Sequence, residues 1–107
     1  MELPKVLVDL VGAQESYNSV AYANCFSETA VVYDEGKMHK GRKEIENWIS
    51  NANKNYKSIM KPISFEKSED ESILKAEVSG NFPGSPIVLS YRLNIVGDQI
   101  QFLKITG

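Results

Sequence analysis

The chain has 107 residues, of which 42% are hydrophobic and 24% are charged, and its formal net charge is −2. These values predict one soluble globular domain over residues 1–107, large enough to bury a core without covalent or metal cross-links. The negative balance excludes nucleic-acid or membrane-surface binding that depends on bulk electrostatics.

A single cysteine, Cys25, cannot form an internal disulfide. The N-terminus has no basic region followed by an apolar run and a small-residue cleavage site, so no signal peptide is expected. No apolar run is long enough to span a bilayer. We therefore expect a cytoplasmic protein.

Two helices are predicted before the first strand. Pro4 suits the first turn of a helix, and Gly12 predicts its end. Apolar side chains recur between them at helical spacing, at Val6, Leu7, Leu10 and Val11. A second helix follows, with Ser16 as its expected N-cap. Its predicted inner face comprises Tyr17, Val20, Ala21, Asn24 and Cys25.

A strand, a tight reversal and a longer helix are predicted next. Residues 29–33 are β-branched, apolar and aromatic, which favours a half-buried strand, and Gly36 permits the reversal. Gly41 is the expected N-cap of the helix, with Glu44 as its capping-box partner. The apolar face of that helix comprises Ile45, Trp48, Ile49, Ala52 and Tyr56.

A further strand is predicted over residues 58–67. Its apolar side chains Ile59, Ile63 and Phe65 are expected on one face. Pro62 cannot donate a ladder hydrogen bond, so this strand is predicted at a sheet edge or at a bulge.

The rest of the chain reads as three more strands. Residues 74–82 and 87–95 alternate between apolar and polar, as half-buried antiparallel strands do, and Gly80 is expected to bend the first of them. A short turn at residues 97–98 leads to a last strand over residues 99–106. The order αα-β-α-ββββ predicts an α+β fold.

One stretch resembles a known family. The sequence Phe-Ser-Glu-Thr-Ala-Val-Val-Tyr-Asp-Glu-Gly at residues 26–36, with Lys-Gly-Arg-Lys-Glu-Ile at residues 40–45, resembles the SnoaL-like and ketosteroid-isomerase-like branch of the nuclear transport factor 2-like superfamily. The resemblance implies a cone, in which a curved antiparallel sheet packs against N-terminal and central helices, with a pocket at its open end. This fold hosts isomerases, cyclases, dehydratases, binding domains and dimerisation modules.

Asp34 is the candidate general base. If Ala30 and Val32 face the interior of the strand, the period of two directs Asp34 the same way. The resemblance places Asp34 at the position of the isomerases' catalytic aspartate, where desolvation would raise its pKa toward a value useful for taking a proton from carbon. The alternative is a turn cap that accepts backbone N–H bonds near Gly36.

The resemblance also implies hydrogen-bond donors for a developing oxyanion. In the isomerases these are a tyrosine of the first helix and a protonated acid of a late strand. Here the helix position falls near Leu10, which cannot donate, and the strand position falls near Tyr91, which can. With Tyr91 as the single donor, we do not expect true steroid isomerase activity.

His39 is the single histidine and a weaker candidate, either as an acid–base partner of Asp34 across the reversal or as an exposed surface residue. No cluster of Asp, Glu and Cys has the spacing of a metal site, and no glycine-rich phosphate motif is present. No cofactor is therefore expected.

A group of apolar side chains is the candidate lining for a small hydrophobic ligand, although the same residues could simply form core: Val32, Trp48, Tyr56, Phe65, Phe82 and Leu89. Two functions remain open. One is acid–base chemistry of the isomerase, cyclase or dehydratase kind on a hydrophobic carbonyl compound. The other is a non-catalytic ligand-binding or dimerisation module. A void of several hundred Å³ with Asp34 on its wall would favour a ligand.

A homodimer is expected through the outer face of the sheet, because proteins of this resemblance usually pair there. That face is predicted to carry Val88, Ser90, Arg92 and Asn94. Its mixed polarity indicates a moderate interface.

Overall fold

A curved six-stranded sheet carries three helices on one side, in a computed structural model that describes all 107 residues. The elements in chain order are α1 (Lys5–Glu15), α2 (Ser19–Asn24), β1 (Phe26–Asp34), β2 (Lys37–Lys40), α3 (Gly41–Tyr56), β3 (Ile59–Lys67), β4 (Ser72–Ser79), β5 (Ile87–Val96) and β6 (Gln99–Thr106). The predicted α+β class is confirmed.

The strands lie in the order β2-β1-β6-β5-β4-β3. Four of the five pairings are antiparallel, and β1 with β6 is parallel, so the sheet is mixed where the sequence predicted an antiparallel one. Strands joined by a short hairpin must run antiparallel, whereas β1 and β6 are separated by most of the chain and are free of that constraint.

The alternating patterns predict burial correctly in the central strands. Leu74, Ala76 and Val78 of β4 are buried, as are Tyr91 and Leu93 of β5. These strands cover the helices with one face and meet solvent with the other, which is the condition under which a period of two is informative.

Pro62 lies where its missing N–H is tolerated. Strand β3 is at the edge of the sheet, and the register with β4 shifts between Pro62 and Ser64. This confirms the predicted edge or bulge. One expectation is wrong, because Met60, which pairs with the buried Val78, and not Ile59 is buried. Ile63 lies within the register shift and is 51% exposed. A bulge re-aims the side chains that follow it.

The two N-terminal helices differ from prediction. Helix α1 continues through Gly12 to Glu15, and α2 begins after Asn18, whose side chain accepts a hydrogen bond from the Ala21 N–H at 3.0 Å. With Asn18 as the cap, Tyr17 lies outside the helix and does not share a face with Val20 and Ala21. Tyr22 is turned inward, while Val20 is 54% exposed.

Helix α3 begins at Gly41, so its N-cap is Lys40 and not Gly41 as predicted. The Glu44 carboxylate accepts a hydrogen bond from the Lys40 backbone N–H at 2.9 Å. Ile45 and Ile49 are buried as predicted, and Trp48 is half-buried. At the far end of the sheet β4 stops at Ser79, so Gly80 follows the strand and does not bend it.

Twenty buried hydrophobic side chains form one core cluster between the helices and the sheet. The fully buried members include Leu7 and Leu10 of α1 and Phe26 at the start of β1. No helix combines the length and the hydropathy needed to cross a membrane.

Candidate functional site

The sheet and the helices do not close completely, and a cavity of about 560 Å³ remains. It lies where β3 and β5 begin and β4 and β6 end, with α3 along one side. Twelve of the 20 residues that line it are hydrophobic. This is the size and character of a small-molecule site. Asp34 is on its wall, which is the arrangement that favours a ligand over a filled interior.

The cavity wall carries negative charge and no positive charge. The acidic side chains on it are those of Asp34 and the neighbouring Glu35, and no lysine, arginine or histidine side chain lines it. No group of three or more His, Cys, Asp and Glu side chains is arranged to hold a metal ion. The chemistry available at this wall is therefore that of one carboxylate pair, phenols and amides.

Asp34 is the last residue of β1. Ala30 and Val32 on the same face of that strand are fully buried, so the alternation directs Asp34 inward, where the cavity opens. Its Oδ2 accepts a hydrogen bond from Trp48 Nε1 at 3.3 Å.

Burial is the main reason that the pKa of Asp34 is raised above the ordinary value for an aspartate, and the charge of Glu35 raises it further. The Trp48 indole N–H, nearby His39 and the Glu35 backbone N–H oppose the rise in pKa but do not reverse it. A turn cap that is dominated by backbone N–H bonds would show the opposite direction. The electrostatics thus resemble those of a proton acceptor more than those of a structural cap.

Two tyrosines present phenols to the same cavity. Tyr22 of α2 is 2% exposed and Tyr91 of β5 is 6% exposed, and both line the wall. Neither hydroxyl has a hydrogen-bond partner in the protein, and no fully buried side-chain N or O atom lacks one. Each hydroxyl oxygen must therefore be reachable from open space, and the cavity is the space that both residues line.

Desolvation raises the pKa of both phenols well above the ordinary value for tyrosine, and the charge of Asp34 adds to the rise in each case. Tyr91 also raises the pKa of Tyr22. The three groups therefore lie near one another. The Tyr22 ring is 6.1 Å from that of Trp48, the residue that hydrogen-bonds Asp34. Phenols with raised pKa values keep their protons at neutral pH, so they are available as donors.

Sequence reasoning missed Tyr22. Leu10, the first-helix position that the resemblance indicated, is fully buried in the core, and a residue of the second helix supplies a phenol in its place. The available signal was the N-cap. Taking Asn18 as the cap leaves Tyr17 outside α2, which removes the aromatic residue that had selected the opposite face.

Of the predicted lining residues, Trp48, Tyr56, Phe82 and Leu89 are on the cavity wall. Val32 and Phe65 are not. Val32 lies two residues deeper in β1 than Asp34 and is completely buried in the core. Phe65 follows the bulge in β3 and pairs with Leu74, toward the end of β3 away from the cavity.

Phe65 is replaced on the wall by Met60, which is near the start of the same strand and pairs with Val78.

His39 does not line the cavity and makes no hydrogen bond to Asp34. Its ring stacks on the indole of Trp48, with centroids 5.6 Å apart and 28° between the planes. It is half-buried, which differs from the exposed position that was the alternative. His39 is therefore placed to hold the indole that bonds Asp34 and not to exchange a proton with a ligand.

Solved structures of other proteins share this fold. A Sinorhizobium meliloti protein described as a candidate polyketide cyclase has a TM-score of 0.92 and 33% identity, covering 97% of this chain and 95% of that chain. A Catenulispora acidiphila protein of ketosteroid isomerase-like fold, solved in complex with trimethylamine, has a TM-score of 0.88, 17% identity, and coverage of 99% and 87%. A nuclear transport factor 2-like protein of Cytophaga hutchinsonii has a TM-score of 0.78, 14% identity, and coverage of 94% and 85%.

The last two likenesses are below a quarter identity and concern the fold alone. No protein-family model and no curated protein matches the sequence. The Sinorhizobium relative is similar enough in sequence, over nearly its whole length, to carry the assignment. The chain belongs to the nuclear transport factor 2-like superfamily, in its SnoaL-like, ketosteroid-isomerase-like branch.

Proposed function

We propose that this protein is an acid–base enzyme that acts on a hydrophobic carbonyl compound, with Asp34 as the general base. One observation carries the proposal. A carboxylate with a raised pKa and two buried phenols without protein partners line the same apolar cavity. Buried polar groups in proteins are ordinarily satisfied, so two open phenols beside one carboxylate indicate a ligand oxygen as their partner.

The chemistry follows from these groups. The carbonyl oxygen of the ligand accepts hydrogen bonds from the hydroxyls of Tyr22 and Tyr91. The Asp34 carboxylate takes a proton from the adjacent carbon, and the electron pair of the broken C–H bond moves onto the carbonyl oxygen as an enolate. Desolvation makes Asp34 a stronger base than in water. A general base contributes about 10²–10⁴ in rate, and an oxyanion donor about 10²–10³.

The fate of the enolate decides the overall reaction. Return of the proton from Asp34 to another carbon of the conjugated system gives an isomer, and attack of the enolate carbon on a second carbonyl gives a ring. The Sinorhizobium relative is described as a candidate polyketide cyclase. Compounds of that class carry carbonyl groups with acidic neighbouring hydrogens on a largely apolar skeleton, which suits this cavity.

The test is proton exchange at the carbon next to a ketone. 2-Tetralone in D₂O is followed by proton NMR with and without the protein, and the loss of the signals beside the carbonyl gives the exchange rate. We expect the protein to accelerate exchange above a carboxylate buffer. Asp34→Asn should lower the protein-dependent rate about 10²–10⁴-fold.

Tyr22→Phe and Tyr91→Phe should each lower that rate about 10²–10³-fold, since each removes one donor to the enolate oxygen. Tyr33→Phe is the matched control, because Tyr33 is on β1 but does not line the cavity. Exchange at the buffer rate with wild-type protein, or wild-type exchange by Asp34→Asn, would contradict the proposal.

A second candidate is a binding protein for a small organic cation. The cavity is lined by five aromatic residues and two carboxylates with no positive charge, and aromatic faces attract cations. The Catenulispora protein was solved with trimethylamine. Calorimetric titration with trimethylammonium chloride decides between the two. Binding that disappears in Asp34→Asn, with no ketone exchange by wild-type protein, would favour the cation-binding function.

A further inference from the structure

The cavity has a second polar group of residues, separate from Asp34 and the two phenols. It consists of Gln14 at the end of α1, Asn53 in the last turns of α3, and Ser58 just before β3, all of which line the cavity. We infer that this amide cluster recognises a neutral hydroxyl group on the ligand. The inference rests on the proposed function for the ligand's other end, the carbonyl.

The orientation of the Gln14 amide is fixed by its partners. Nε2 donates to the Ser58 carbonyl oxygen at 2.6 Å and to Asn53 Oδ1 at 3.1 Å. A backbone carbonyl only accepts, so the nitrogen and not the oxygen of Gln14 must face Ser58. Asn53 must then present its own oxygen to Gln14. Both hydrogens of Gln14 Nε2 are thus used within the protein.

The two amide side chains of the cluster leave one oxygen and one nitrogen without a protein partner. Gln14 Oε1 accepts from no protein donor, and Asn53 Nδ2 donates to no protein acceptor. Gln14 is only 5% exposed, yet no fully buried side-chain polar atom lacks a partner. Its Oε1 is therefore reachable, and the cavity is the open space that Gln14 lines.

An acceptor beside a donor selects the class of ligand group. One hydroxyl can donate to Gln14 Oε1 and accept from Asn53 Nδ2 at the same time. A carboxylate would face the Gln14 oxygen with no compensating cation, because no lysine, arginine or histidine lines the cavity. A methyl ether could accept but not donate, which would leave the Gln14 oxygen desolvated and unpaired.

The spacing of the two polar regions sets the length of the ligand. Trp48, which bonds Asp34, and Asn53, which bonds Gln14, are both on α3. Five residues of α-helix rise about 7.5 Å along the axis. A ligand that uses both regions therefore has its hydroxyl across a ring system from its carbonyl, not on the neighbouring carbon.

The amide cluster is held in place from three directions. The link between α3 and β3 carries Ser58, and its backbone is bonded by side and main chains of other elements. The Tyr17 hydroxyl donates to the Lys57 carbonyl at 2.9 Å, and the Asn81 N–H donates to the Tyr56 carbonyl at 2.6 Å. Gln14 supplies the third bond, to Ser58. A polar site held in this way is preorganised for its ligand.

Three ketones of one skeleton test the inference: 2-tetralone, 6-hydroxy-2-tetralone and 6-methoxy-2-tetralone. Dissociation constants are measured by calorimetry. We expect wild-type protein to bind the hydroxylated ketone about three- to tenfold more tightly than the parent, the effect of one or two net hydrogen bonds, and the methoxy ketone no more tightly than the parent.

Asn53→Ala is the informative variant, because it removes the free donor while the Ser58 carbonyl still accepts from Gln14 Nε2. Its preference for the hydroxylated ketone should fall to about unity. Asn55→Ala is the matched control, since it makes the same change on the exposed side of α3. It should keep the preference. Equal melting temperatures for the two variants exclude a folding defect as the cause.

Asp34→Asn separates this inference from the proposed function. It should lose ketone exchange and keep the preference for the hydroxylated ketone. Exchange of 2-tetralone without any hydroxyl preference would overturn the amide cluster as a recognition site and leave the general base standing. A preference for the hydroxylated ketone without exchange would overturn Asp34 as the general base and leave the amide cluster standing as a recognition site. Failure of 6-hydroxy-2-tetralone to bind, or a preference in Asn53→Ala as large as in the wild-type protein, would overturn the inference.

Discussion

Gly80 is predicted to tolerate no side chain, although its backbone is not in the left-handed region. A Cβ placed there would be 2.6 Å from the Tyr56 carbonyl oxygen and 3.1 Å from Ser58 Cα, where ordinary contact begins at 3.4 Å. Both atoms belong to backbone, so they cannot swing aside. Asn81, the next residue, donates to the same Tyr56 oxygen at 2.6 Å, so moving that oxygen also weakens this hydrogen bond.

The magnitude follows from these two effects. Overpacking costs about 1–3 kcal/mol and a weakened hydrogen bond about 0.5–1.5 kcal/mol, so Gly80→Ala should lower the free energy of unfolding by about 1.5–4.5 kcal/mol. Stability of a domain this small is about 5–15 kcal/mol, which makes the loss easy to measure by urea denaturation.

Gly12→Ala makes the same chemical change where nothing lies within 4 Å, inside α1. It should raise the free energy of unfolding by about 0.5–1 kcal/mol, because alanine favours helix over glycine. Opposite signs from one substitution type would support the close approach of Gly80 to the α3–β3 link. An unchanged urea midpoint in Gly80→Ala would refute the position of that link, and with it the placement of Ser58.

Three further predictions concern the core, the candidate base and the outer face. Ile45→Ala should lower the free energy of unfolding, measured by urea denaturation, by about 2–5 kcal/mol. Trp48→Ala should lower it by less than the ~3–5 kcal/mol of a fully buried aromatic residue, since the Trp48 indole faces the cavity. Asp34→Asn should stabilise the protein at pH 7 and lose that advantage at pH 3. The folded-state pKa of Asp34 is raised, so wild-type stability is fully present below the unfolded pKa and declines as pH rises toward the folded one. Light scattering at tens of micromolar should show a homodimer that Val88→Glu dissociates, because exposed Val88 lies on the outer face; a wild-type monomer would defeat this.

The sequence predicted the fold well where the apolar and polar residues within a single strand or helix determine which of its side chains are buried. The alternation in β4 and β5 needs only that one face of the sheet be covered, and it identified Leu74 and Tyr91 as inward-facing. The direction of Asp34 followed from the same rule in β1. The family resemblance supplied the overall arrangement, including which strand carries the acidic residue.

The rest depended on contacts between distant parts of the chain. Helix α2 has six residues, fewer than two turns, so its buried face is set by the cap and by packing and not by periodicity. That is why Tyr22 was missed. Phe65 was placed on the wall wrongly because it pairs with Leu74, toward the end of β3 away from the cavity. The amide cluster joins Gln14 to Ser58 across 44 positions, and no local pattern reports such a bond.

The central claim is that Asp34 is a desolvated proton acceptor and not the cap of a turn. The most direct measurement is an NMR titration of the Asp34 side-chain carboxyl carbon in the folded protein, with Asp34→Asn to assign the signal. We expect a pKa above the ordinary aspartate value, because burial outweighs the hydrogen bond from Trp48 and the N–H of Glu35. A pKa below the ordinary value would show that hydrogen bonds to the charged form dominate, and would contradict the assignment of Asp34 as the base.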